Sequence, residues 1–181
     1  MQRDLPPIRK TMTMERVRAY FENLARQHRA LGHNEANPHF AYLNDEKDML
    51  LPAQMGYPFV LLGHNGYTVA DDGQHLVWRV LLSVQTHVTD TGDDREKNMA
   101  TGQSGRILQD FLVRAISTPE RLSKKWLRGI DLAGATAMMI ENEDDALYGW
   151  AIEFNVSLPW CRNIDNEIWT DLSVRDIIDN Y

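Results

Sequence analysis

Met14, Val17, Phe21, Leu24, His28 and Leu31 recur at intervals of 3, 4, 3, 4 and 3 residues. That spacing draws one apolar stripe down a helix. Thr13 is placed to cap it, Glu15 lies in its first turn, and Gly32 is placed to end it. Too few heptads follow for a coiled coil, so the stripe predicts a helix over 13–31 docked on a sheet. Residues 33–57 lose all period through Asn34, Asn37, Pro38, Asn44, Asp45, Pro52 and Gly56, and read as a long irregular connection.

Beyond residue 57 the period changes to two. Phe59–Leu62 predicts a short strand, continued by Tyr67–Val69 after a turn at Gly63–Gly66, and Asp71-Asp72-Gly73 marks another turn. Trp78, Val80, Leu82, Val84, Thr86 and Val88 then alternate with Arg79, Ser83, Gln85 and His87, the clearest strand in the chain. Val77 and Leu81 make its second face partly apolar as well. Thr89–Gly102 is polar and acidic and reads as a loop. Ser104 is expected to cap a second helix, with Ile107, Leu108, Phe111, Leu112, Ala115 and Ile116 forming its stripe. Ser117-Thr118-Pro119-Glu120 signals a further helix start, packed through Leu122, Trp126 and Leu127 and ended at Gly129. Thr136–Ile140 and Tyr148–Leu158 predict an antiparallel pair turned at Glu141–Asp145 and stopped by Pro159.

These elements make an α+β fold, a mainly antiparallel sheet with helices on one face. In the 181-residue chain they divide into an extended lead-in over 1–12, which holds Pro6-Pro7, a single domain over 13–160 and a C-terminal arm over 161–181. Ile164, Ile168, Trp169, Leu172 and Ile177 make that arm too apolar for a typical disordered tail.

Charge changes the picture because it is unevenly spread. The net charge is −7, yet residues 1–30 hold seven bases and three acids, and residues 131–181 hold eleven acids and two bases. A basic head and an acidic tail can attract each other within one chain or between copies. The expected interface residues are therefore Arg16, Arg18, Arg26 and Arg29 at the head and Ile164, Ile168, Trp169 and Leu172 in the arm. Simple solvation of polar faces is the alternative reading of the same charges.

Candidate chemistry is thin. The six histidines form no His-Glu-x-x-His pair, and a lone Cys161 forms neither an intramolecular disulfide nor a zinc ribbon. Gly102-Gln103-Ser104-Gly105 lacks the lysine of a phosphate loop, since Arg106-Ile107 follows. The acidic run Glu141–Asp145 lacks the spaced ligands of a calcium loop. Cys161 has no histidine near it in sequence, and no serine sits in a hydrolase elbow. The expectation is no catalytic residue, no cofactor and no metal. The bases Arg114, Arg121, Lys124, Lys125 and Arg128 around Trp126 suit a nucleic-acid surface, but also the wet face of a helix, which is the reading preferred. No stretch approaches the ~18 apolar residues of a membrane span. Met1–Lys10 has no apolar core of a secretory signal, and an intracellular chain with no membrane partner is expected.

The order of elements, carried by Met14–Leu31, His75–Val88, Ser104–Ile116 and Thr136–Leu158, resembles the tail-terminator proteins of long-tailed bacteriophages and the cap proteins of contractile injection machines. About two-thirds of the chain takes part. The resemblance implies a structural protein and not an enzyme: a homo-oligomeric ring, usually a hexamer, that ends a tail tube and offers a surface to neck or sheath proteins. It implies assembly in the cytoplasm of a bacterial host and residence in a virion or phage-like particle. The 33–57 connection and the extension after Pro159 depart from a minimal terminator. They leave open another neck, sheath-contacting or baseplate adaptor protein. A small monomeric or dimeric adaptor domain is the alternative of a different class, and a hydrolase a more distant one.

Overall fold

The strand with the clearest alternation organises the molecule. In the computed structural model, which describes residues 14–43 and 55–159, β3 (His75–His87) pairs antiparallel with β6 (Leu147–Pro159) over its whole length. His75 lies opposite Pro159 at one end and His87 opposite Leu147 at the other. A period of two then puts Val80, Leu82 and Val84 beside Phe154, Ile152 and Trp150 on one face. β2 (Phe59–Val69) pairs antiparallel with the other side of β3, and β1 (Phe40–Leu43) runs parallel to β2 at the sheet edge. β4 (Ile130–Asp131) and β5 (Ala137–Asn142) pair with two successive stretches of β6. The fold is α+β, with a six-stranded, mostly antiparallel sheet.

Among the described residues, α1 (Met14–Gln27) and α2 (Asp94–Ile116) pack into the core on the face that carries Val80, Leu82 and Val84. α1 buries Met14, Val17, Tyr20, Phe21, Leu24 and Ala25. α2 buries Ile107, Leu108, Phe111 and Ala115. Phe21 joins the layers: its ring stacks on Phe111 at 6.4 Å and meets Phe154 of β6 at 6.3 Å. α3 (Thr118–Ser123) and a 3-10 helix (Lys125–Gly129) follow, and the latter sends Leu127 into the same core. A side chain at Gly129 would run into the Ser157 carbonyl, so glycine lets this helix end directly on β6.

Several sequence expectations need correction. Residues 94–102 are helical and not loop. Asp93 caps α2, its carboxylate accepting from Arg95 N at 2.8 Å and Glu96 N at 3.3 Å. Glu96 in turn reaches back to accept from Thr89 N and Asp90 N. Ser104 is therefore not a cap. It lies fully buried in mid-helix, 3.2 Å from the Thr86 hydroxyl. The first helix stops at Gln27, although Leu31 is still buried by a turn in which Gly32 donates to His28 O with φ +61°. The 33–57 connection holds β1. Tyr67–Val69 belongs to β2 itself, since a register shift between His64 and Tyr67 replaces the expected turn. Leu122 is 63% exposed because α3 is only six residues long and Leu127 takes the core position. Thr13, Cys161 and the arm residues Ile164, Ile168, Trp169 and Leu172 lie outside the described residues.

Candidate functional site

Of the head cations, Arg16 and Arg18 lie in the first half of α1, Arg26 near its end, and Arg29 in the turn beyond. They do not gather. Arg18 pairs with Glu15 at 3.4 Å and rests over the Tyr42 ring. Arg26 pairs with Glu22 at 2.8 Å, which holds the Glu22 carboxyl below the usual range. Such exposed helical pairs contribute a few tenths of a kcal/mol, ~0.3–0.5 each. Two different clefts receive Arg16 and Arg29.

The larger cleft, about 940 Å³, opens between the end of α1 and the first half of α2. His28, Arg29, His87, Glu96, Arg106 and Asp110 line it. His28 Nε2 stands 3.3 Å from an Asp110 carboxylate oxygen, and its ring leans on Phe111. Both signs of charge face this cleft. Half-buried Thr86 and buried Ser104 bond each other, and neither makes a described bond to His28. The arrangement can bind polar groups, but it contains no aligned nucleophile and base.

The second groove, about 560 Å³, runs between the first half of α1 and the residues after α3. Arg16, Ala19, Tyr20 and Asn23 form one wall, and Ser123 to Trp126 the other. Glu120 in the first turn of proline-started α3 gathers two cations: it accepts from Lys124 Nζ, just past α3, at 2.7 Å and pairs with Arg114 of α2 at 2.8 Å. The Lys124 hydrogen bond chiefly holds the Glu120 carboxyl below its ordinary range. Lys124 sits over the Tyr20 ring, and Trp126 meets that ring edge-on at 5.5 Å. Tyr20 is 5% exposed, and its hydroxyl has no described hydrogen-bond partner. Burial first, and the Glu120 charge second, push its pKa up to about 12, against a lowering by Arg114. The groove therefore presents cations and an aromatic wall, while the unpartnered Tyr20 hydroxyl is closed off from its surface. The sequence showed its bases but not Tyr20, which lies off the Val17–Phe21–Leu24 stripe.

A third feature ties α1 to the sheet. His33 Nδ1 accepts from His39 N at 2.9 Å, and buried His39 holds Pro58 O through its own Nδ1 at 2.6 Å. Burial, followed by the Arg26 charge, pushes the His33 pKa down.

Among the described residues, no three His, Cys, Asp or Glu side chains gather closely enough to hold a metal ion. Among the same residues, no helix is long and apolar enough to cross a membrane. β5 pairs with β6 alone and leaves Met138 and Met139 about half exposed. No protein-family model matches the chain, and no curated protein matches it.

Proposed function

We propose that this chain is a structural component of a phage tail or phage-like contractile particle, a homo-oligomeric ring that ends the tail tube and joins it to the neck or cap. The observation that carries the reading is the order of elements: α1, then β2 and β3, then α2, then the β5–β6 hairpin, all packed as one sheet with helices on one face. That is the order the resemblance to tail terminators rests on. A ring subunit also needs surfaces that differ from each other, one fitting another on its neighbour. The exposed methionines of the β5 edge and the cationic groove beside Trp126 lie on different parts of this domain and suit that need. The chain binds itself and the tube, with sheath or neck proteins as further partners. It acts in the cytoplasm during assembly and in the particle afterwards.

The test is reconstitution with polymerising tail tubes and electron microscopy. Tubes that stop growing and carry a ring at one end support the reading. A protein that stays monomeric and leaves tube length unchanged overturns it in favour of a small adaptor. Binding along the sheath or at the baseplate end moves it to another position in the same machine.

A further inference from the structure

The two ends of the sheet carry opposite charge. At the end where His87 faces Leu147, the start of α2 and the β5–β6 turn lie together, joined by Val88 N to Ala146 O and by Lys97 over the Tyr148 ring. Residues 88–97 and 141–146 contain eight acids and two bases. At the far end of β6, the 3-10 helix packs against Ser157, and residues 114–129 contain five bases and one acid. Arg16 of α1 adds to that end across the groove. Thirteen residues of β6 separate the two ends, roughly 40 Å at the rise of an extended strand. One subunit cannot bring them together.

We propose that the acidic β5–β6 turn of one copy, through Glu143, Asp144 and Asp145, docks into the groove lined by Arg16, Tyr20, Lys124, Lys125 and Trp126 of a second copy. This deepens the ring reading by naming its contact. Three observations choose the occupant. The charges are complementary and sit at opposite ends, which makes the contact head-to-tail and lets it repeat around a ring. Lys125 makes no described ion pair, and the Tyr20 hydroxyl is a buried donor without an acceptor. A carboxylate can accept from Lys125, while the Tyr20 hydroxyl stays closed off beneath the groove surface. The turn itself is narrow and exposed: Asn142 and Asp145 bond each other across it, Glu143 O accepts from Ala146 N, and the carboxylates of Glu143 and Asp144 have no described partner. Trp126 and Tyr20 supply the apolar centre of the contact, and the charges set its orientation and association rate.

The test is sedimentation velocity of the full chain alone. Association is expected, weakening at least tenfold between low and high salt as the charges are screened. Glu143→Lys with Asp144→Lys and Asp145→Lys should be monomeric, as should Arg16→Glu with Lys125→Glu. Mixing the two variants should restore association, because each supplies the charge the other lost. A monomeric wild type, association that survives both reversals, or a mixture that stays monomeric overturns the proposal. A chain that associates only after removal of residues 163–181 also overturns it, because that acidic segment then occupies the groove. Association through these residues without capping of tubes would leave this contact standing and sink the tail reading. Capping by a chain whose reversed turn has no effect would do the opposite.

Discussion

The two faces of the sheet are built to different standards. On the helix face, Val80, Leu82, Val84 and Val156 are fully shielded, and three aromatic rings from α1, α2 and β6 meet at Phe21. On the opposite face, the buried apolar group is small: Ala41, Met55, Phe59 and Leu147, with Leu61 partly covered. Beyond it that face turns polar, with Ser83, Gln85 and an Arg79–Glu153 pair. Among the described residues no helix packs on that side. Hydrophobic stabilisation follows apolar area removed from water, so the helix face carries most of the stability. The opposite face relies more on polar groups, from buried Ser83 to exposed Arg79.

The largest expected effect follows directly. Phe21→Ala should cost about 3–5 kcal/mol, since it leaves a cavity bounded by two helices and the sheet. Phe59→Ala should cost less although Phe59 is equally shielded, because its small cluster can collapse around the gap. Urea unfolding of both variants checks this. Equal losses would break the comparison and place a second full core on the opposite face.

A smaller effect tests how the helices are fixed to their face. Asp93→Ala removes the acceptor for two orphan amides at the start of α2 and should cost about 1 kcal/mol. The loss should appear first as faster amide exchange over 94–100, since that stretch buries only Ala100. A loss spread evenly over all of α2 would show that the polar first half is held by packing instead.

This half-helix also shows what the sequence could and could not reveal. Where burial is continuous, as in Val17–Phe21–Leu24 or Val80–Leu82–Val84, periodicity predicted both element and face. Where a helix extends past the sheet its residues face water, and Asp94–Gln103 carries no stripe to read. Its cap and the reciprocal Glu96 were the available signal. β1 was hidden for another reason: four residues are too few to show a period, and their pairing partner lies twenty residues away. The basic groove was half legible, as the cluster Lys124–Lys125–Trp126. Its other wall comes from α1, a hundred residues earlier, and no local pattern connects the two.

The helix face also has a pH-sensitive tie. His33 has its pKa lowered by burial, so below about 6.5 the unfolded chain binds more protons than the folded one. Its contribution is fully present above that value and is lost as pH falls toward the folded pKa. Protonated Nδ1 would also set an N–H against the His39 N–H that it now accepts. His64, likewise lowered by burial, works in the same direction. Thermal unfolding from pH 7.5 to 5 should show a decline that His33→Gln makes shallower. An unchanged slope would mean that His33 does not sense acid in the folded state.

The smallest effect belongs to the opposite face. Arg79 Nε stands 2.9 Å from a Glu153 carboxylate oxygen, and the two residues are diagonal neighbours on β3 and β6. Arg79 keeps 65% of its side chain exposed and Glu153 38%, so water screens the pair and ordering two long side chains opposes it. A double-mutant cycle with Arg79→Ala and Glu153→Ala should give a coupling of about 0.2–1 kcal/mol. Raising the salt concentration should shrink it further, because exposed charges lose their attraction within a Debye length of ~8 Å or less. A coupling well above that range and indifferent to salt would require the pair to be dry. The polar side of the sheet would then be covered in solution, and the contrast between the two faces would describe only an isolated subunit.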